Sequence, residues 1–179
     1  MLKGGNIVYK SASYRGRANR SEGLQFEQLI EKACTMYRQQ GLALIEKTPE
    51  PIRILGRVNE QGQFKACFCK QAQPDFKGTL LGGRAIVFDA KSTTQDKLQI
   101  SVLTDEQRNL LIKHRELGAW AGVLICYKGY NNLYALIPIN NFLDAKQTFG
   151  HAYISRTEAE PYKVPMKGLF IDFLDKLIP

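Results

Sequence analysis

An aspartate and a lysine sit two residues apart at the end of an apolar run, Ala85-Ile86-Val87-Phe88-Asp89-Ala90-Lys91, and few folds can accommodate such a segment. Its length and its β-branched and aromatic content are those of a buried strand. Side chains two apart on a strand share a face. Asp89 and Lys91 therefore lie with Val87, while Ile86, Phe88 and Ala90 point the other way. Upstream, Pro74-Asp75 leads through a turn at Gly82-Gly83 into this strand, so the two aspartates converge at one strand end. Charges are costly to bury unpaired. One explanation is an Asp–Lys ion pair at a sheet edge. The other is a metal site, with Asp75 and Asp89 as hard oxygen ligands and Lys91 as electrostatic partner of an attacking water.

The overall charge narrows the partners. Of 179 residues, 25 are Lys or Arg and 17 are Asp or Glu, a formal net charge of +8. One domain is expected from this length, and a basic balance favours a polyanion, of which nucleic acid is the commonest. Cys34, Cys67, Cys69 and Cys126 lack zinc-knuckle spacing and read as reduced, buried thiols. No apolar leader and no run of membrane-spanning length occurs, so a cytoplasmic protein without a membrane partner is expected.

Along the chain, residues 1–20 carry Lys3, Lys10, Arg15, Arg17 and Arg20 and no acid, and read as a flexible basic arm that orders on a phosphate backbone. Ser21 is the expected N-cap of a first helix ending near Gln40 at Gly41. Phe26, Leu29, Ile30, Ala33 and Tyr37 form its buried stripe, with Glu27 at the rim. Glu27 is either solvated or paired with a lysine such as Lys32 or Lys47, or it is a further metal ligand or a positioner of bound water. A short strand is expected at Ala43–Lys47. Residues 52–70 read as a hairpin turning at Asn59–Gly62, with Arg53, Arg57, Lys65 and Lys70 along it. Such a hairpin is either a charge-protected edge or a finger pushed into a nucleic-acid structure.

Thr104-Asp105-Glu106-Gln107 has capping-box form and opens a helix that Gly118 ends. Gln107 either belongs to that cap or reaches the active site, and His114 on the same helix reads as a packed core histidine. Trp120–Tyr127 and Leu133–Pro138 read as antiparallel strands, followed by a helix from about Asn140. Leu169, Phe170, Phe173, Leu174 and Leu177 have the spacing of a closing helix.

Pro74-Asp75, a spacer and Asp89-Ala90-Lys91 resemble the signature of the restriction-endonuclease-like nuclease superfamily, Pro-Asp followed by Asp or Glu-x-Lys. More specifically, the chain is similar to the bacterial RecU-type Holliday-junction resolvases. The shared residues are Asn19-Arg20, Lys70-Gln71-Ala72, Asp75-Phe76-x-Gly78, Gly83-Arg84, Phe88-Asp89-Ala90-Lys91, Gln107 and Ile171-Asp172-Phe173. The family usually has Glu at the position of Asp89, and hydroxyl residues where this chain has Gln73-Pro74.

The resemblance implies an α/β fold, a mixed sheet flanked by helices in a restriction-endonuclease-like core, with residues 52–70 as a protruding stalk on a single nuclease domain of 21–179. It implies a homodimer that binds four-way junction DNA and nicks two opposed strands with Mg²⁺ or Mn²⁺. Asp75 and Asp89 would be metal ligands, Glu27 the first-helix acid, Lys91 the catalytic lysine and Gln107 an active-site helper. Arg15, Arg17, Arg20, Arg53, Arg57, Lys65 and Lys70 would hold DNA. The expected function is a metal-dependent, structure-selective DNA endonuclease of recombination and repair. The alternatives are a restriction-type or repair endonuclease acting on duplex DNA, and a non-catalytic basic DNA-binding module.

Overall fold

The runs rich in β-branched and aromatic residues pair into one central sheet in the computed structural model, and the amphipathic segments cover it. The structure describes residues 8–49, 52–57, 59–68, 73–175 and 177, of which 8–22, 52 and 68 are described by backbone alone. The elements in order are α1 (Val8–Gln40), β1 (Ala43–Lys47), β2 (Ile52–Leu55), β3 (Lys65–Phe68), β4 (Phe76–Leu80), β5 (Ala85–Thr93), β6 (Lys97–Gln99) and α2 (Asp105–Glu116). They continue with β7 (Trp120–Tyr127), β8 (Leu133–Pro138), α3 (Ile139–Leu143), α4 (Ala145–Phe149), β9 (Tyr153–Ser155), α5 (Arg156–Ala159), β10 (Met166–Lys167) and β11 (Phe170–Ile171).

The central sheet has the order β1-β4-β5-β7-β8. Its pairs are antiparallel except β5 with β7, which are parallel. Parallel neighbours need a crossover, and the chain between β5 and β7 includes α2. On one face α1 lays Phe26, Ile30, Ala33 and Tyr37 over Ile45, Phe76, Ile86 and Phe88. On the other, Leu111 of α2, Phe142 of α3 and Ile154 of β9 pack with Val87, Val123 and Ile125. The period-two alternation of β5 thus divides its side chains between the two cores. Each buried aliphatic or aromatic side chain contributes about 1.5–3 kcal/mol.

β1 lies so close to β4 that only glycine fits opposite Ile45: a Cβ on Gly78 would stand 2.1 Å from the Leu44 carbonyl oxygen and 2.6 Å from the Ile45 Cα. Those atoms are backbone and cannot swing away. Gly78→Ala is expected to lower stability by roughly 3 kcal/mol, read as a shift of the urea midpoint. An unchanged midpoint would contradict this close approach.

Three local expectations differ from what is observed. α1 begins at Val8 rather than after a cap at Ser21, so 8–20 is helical backbone, and only 1–7 of the expected arm lies outside the described residues. Between Val8 and Ser21 there is no proline, and Gly16 alone is too weak a breaker to stop a helix that α1's packed portion propagates. Among the described residues the hairpin's ladder stops sooner on the turn side than expected, with four residue pairs from Ile52↔Phe68 to Leu55↔Lys65; Val58 and residues 69–72 lie outside the described residues.

The apolar residues after Pro165 form the β10–β11 pair and turns instead of a closing helix. Gly168 turns the chain at φ 61°, and the Tyr37 hydroxyl occupies backbone groups a helix would need. It donates to the Ile171 carbonyl at 3.3 Å and to Asp172 Oδ1 at 2.8 Å, and accepts from the Leu174 N–H at 3.2 Å. Lys167 Nζ, 2.5 Å from Asp172 Oδ2, compensates that buried carboxylate.

Cys34 and Cys126 are buried free thiols, pushed up by burial to about 12 and about 11. Cys67 is free and half-buried, and Cys69 lies outside the described residues. His114 is half-buried on α2. Among the described residues, no helix is long and apolar enough to cross a membrane.

Candidate active site

Antiparallel pairing of β4 with β5 sets Phe76 opposite Phe88, and their fully buried rings stack with centroids 5.1 Å apart. Asp75, one residue before β4, is thereby carried next to Asp89. Two hydrogen bonds clasp the acids reciprocally: the Asp75 N–H donates to Asp89 Oδ1 at 3.1 Å, and the Ala90 N–H donates to Asp75 Oδ2 at 2.9 Å. Neither donor is a side chain, so no residue type announces the clasp in the sequence.

Lys91 follows on the same strand face, its Nζ 3.6 Å from Asp89 Oδ2 and 3.9 Å from Asp75 Oδ2. These are ion-pair separations, too long for good hydrogen bonds. Asp89 is completely buried, and its Oδ2 has no hydrogen-bond partner. Nearly every buried polar atom in a folded protein has such a partner, so this oxygen, with Lys91 only at ion-pair range, keeps the capacity to take a further one.

The electrostatics point the same way. Burial, then the neighbouring Asp89 carboxylate, push Asp75 up to about 6, against opposing pulls from Lys91 and the Ala90 N–H. Burial also raises Asp89 above the ordinary carboxylate range, with Lys91 and the Asp75 N–H opposing. One lysine undercompensates two acids. An added cation would favour both ionised forms. Two carboxylates, one with a free buried oxygen, suit a hard divalent cation, which Mg²⁺-type sites hold through one or two carboxylates plus water and substrate oxygens.

The other candidate residues are placed differently. Glu27 is in a salt bridge with Lys47 at 2.6 Å, which Glu31 joins at 3.4 Å, and the hydrogen bond that the Lys47 ammonium donates to Glu27 is the main reason it is held above its ordinary range. Glu27 lies close enough to raise Asp75 slightly. Among the described residues, however, no three acids, histidines or cysteines are gathered to hold a metal. The structure brings Asp75, Asp89 and Lys91 together and leaves Glu27 with Lys47.

Gln107 forms the capping box of α2, its Oε1 accepting from the Thr104 N–H at 3.1 Å and its N–H donating to Thr104 Oγ1 at 3.2 Å. Arg53, Arg57 and Lys65 are exposed on or beside the β2–β3 hairpin. That hairpin is a two-stranded sheet of its own, with Ile54, Leu55 and Phe64 about half exposed. Lys70 lies outside the described residues, as do the side chains of Arg15, Arg17 and Arg20 on the first turns of α1.

Comparison with known proteins adds a family. A family model named Recombination protein U matches residues 21–178. A protein of Pediococcus pentosaceus named Holliday junction resolvase RecU is 28% identical over 140 residues, which are 74% of this chain and 69% of that one. Proteins of the same name from Streptococcus sanguinis and Streptococcus pneumoniae are 34% and 36% identical over 84 residues, 45% of this chain and 40% and 41% of theirs. A solved structure of Hjc, a Holliday junction resolvase from Archaeoglobus fulgidus, matches at a TM-score of 0.44 and 13% identity, covering 78% of this chain and 93% of that one.

Proposed function

Because the chain belongs to the Recombination protein U family, we propose that it is a DNA endonuclease that binds four-way junctions and nicks opposed strands by phosphodiester hydrolysis. The observation that carries this reading is the fully buried Asp89 Oδ2, which accepts no hydrogen bond and has Lys91 only at ion-pair distance, with the second carboxylate of Asp75 clasped beside it.

Asp75 and Asp89 would hold a divalent cation, Mg²⁺ or Mn²⁺. When bound, such an ion neutralises charge on the scissile phosphate and acidifies water near it. The rest is done by the chain itself. The clasp to the Asp75 and Ala90 N–H groups fixes how far apart the two carboxylates stand. The Lys91 ammonium, only 17% exposed, can donate to an attacking water or to a phosphate oxygen as negative charge builds there, with no reorganisation at the moment of reaction. Glu27 and Gln107 assist only by exchanging the partners they now have, Lys47 and Thr104.

Arg53, Arg57 and Lys65 on or beside the hairpin and Lys70 just after it in the sequence, with Arg15, Arg17 and Arg20 on the first part of α1, would supply phosphate contacts, in keeping with the net charge of +8. Two sites acting on opposed strands call for two copies, and a homodimer supplies them.

The test is a nicking assay on a mobile four-way junction labelled on each strand in turn, in Mg²⁺ and in EDTA, beside a linear duplex of matched length. Nicks in two opposed strands, dependent on the metal and scarce on the duplex, are expected. Equal cutting of the linear duplex, or cutting in EDTA, would overturn the reading.

A further inference from the structure

Strands β5 and β7 run parallel, so their C-terminal ends emerge together. Lys91 lies opposite Ile125 and Thr93 opposite Tyr127, and the Lys128 N–H donates to the Thr93 carbonyl at 2.8 Å. The turn joining β7 to β8 therefore leaves the sheet from the end that presents Asp89 and Lys91. At about 3.3 Å per strand residue, it starts roughly 10 Å beyond Lys91 along the strand. That is about three nucleotide steps of a DNA strand at 3.4 Å each.

The turn is braced. Arg156 donates through Nη1 to the Tyr127 carbonyl at 3.2 Å and through Nη2 to the Asn131 carbonyl. Within the turn the Gly129 N–H donates to Asn132 Oδ1 at 3.1 Å, and Asn132 Nδ2 donates to the Tyr134 hydroxyl at 3.2 Å. Arg156 is itself fixed, its N–H donating to the Asp96 carbonyl at 2.7 Å as α5 begins behind the capping box of Ser155 and Glu158.

At the tip of this brace Tyr130 is 103% exposed. Scattered exposed apolar residues are ordinary. A whole tyrosine ring presented to solvent from a turn whose backbone is pinned on both sides, at the sheet end that carries the reacting groups, is not explained by the fold. Lys128 opens this turn and Arg156 lies against it through its two carbonyl contacts, with Asp96 the acid on the adjoining turn; Lys97 stands further off, over the Tyr153 ring. Aromatic rings set among cations suit an unstacked base on its phosphate chain, because every base has a face to offer.

We propose that Tyr130 contacts the substrate, stacking on a base of the strand being cut a few nucleotides from the scissile phosphodiester. This rests on the junction-nuclease reading above. The parent, Tyr130→Ala and Tyr130→Phe are to be compared in Ca²⁺ in place of Mg²⁺, using four-way junctions with 2-aminopurine at successive positions beside the cut. The parent and Tyr130→Phe are expected to quench the probe at one or two positions. Tyr130→Ala should lose the quenching and bind about tenfold more weakly by anisotropy, at an unchanged melting temperature.

Parent-like affinity and quenching in Tyr130→Ala would overturn the inference. So would a Tyr130→Phe that fails as alanine does, since the contact would then belong to the hydroxyl. A parent that binds no junction overturns the underlying reading and this inference with it, and is told apart because all three proteins fail alike.

Discussion

Lys91→Ala is expected to slow nicking by about a hundred- to a thousandfold, the usual effect of removing one preorganised donor from a transition state, and to weaken the fold as well. The lysine is the one counter-charge within 4 Å of the fully buried Asp89 among the described residues. Removing one partner of a buried pair typically costs about 3–5 kcal/mol. Asp89 can escape part of that penalty by taking a proton, because burial already raises its pKa and Lys91 is what opposes the rise.

Folded-state pKa values above the unfolded ones mean that the native protein binds protons more tightly. Stability is then greatest at low pH and is lost as pH rises through the folded values. The deficit of Lys91→Ala relative to the parent should accordingly be smaller at pH 5 than at pH 8. Single-turnover nicking and urea unfolding at both pH values check the two halves. Cleavage within a few-fold of the parent would remove Lys91 from the catalytic set, and an equal deficit at both pH values would contradict the electrostatic account.

Asp75→Asn is expected to move activity and stability in opposite directions. Cleavage should fall below detection, since a carboxylate charge is lost from the proposed metal-binding pair, while the metal-free protein becomes more stable at pH 7.5. Asp75 titrates near 6 in the fold against 3.8 for the free side chain, so ionising it opposes folding. The parent's stability should decline as pH rises from about 4 to about 6 and stay low above that. By linkage the effect is at most about 3 kcal/mol, and about 1–2 kcal/mol after screening of a side chain that is 32% exposed.

Asparagine keeps an acceptor for the Ala90 N–H and carries no charge. In EDTA at pH 7.5 its melting temperature should exceed the parent's by about 3–6 °C, and its pH profile should be flatter between 4 and 6. A lower melting temperature, or a profile parallel to the parent's, would show that Asp75 is not the source of the strain.

Asp75, Asp89 and Lys91 stand out in the amino-acid sequence itself. β1, β7 and β8 have the bounds expected from their apolar runs, and α2 has its expected cap, because the signals that define them lie inside the segments themselves. The convergence of Asp75 on Asp89 was legible for the same reason, since a turn and an alternating strand are local patterns. Residues 169–177 misled because their apolar spacing fits a helix equally well, and what forbids it is the Tyr37 hydroxyl, 134 residues away from Ile171. The start of α1 was misplaced because Ser21 is a good cap for a helix that had already begun. Glu27 was correctly set at the rim, but which of its possible partners wins depends on β1 bringing Lys47 to 2.6 Å, a tertiary fact.

The reciprocal hydrogen bonds between Asp75 and the Asp89–Ala90 step span only 14 and 15 residues of chain, all of it one antiparallel hairpin. The hydrogen bonds that set the distance between the two carboxylates thus lie inside that hairpin. Burial, Lys91 and the Glu27–Lys47 pair act on how readily the acids ionise, not on where they stand. Spacing and charge are consequently two separate dials: substitutions in α1 or β1 can retune the appetite of the site for a cation while the hairpin that pairs the two acids stays as it is.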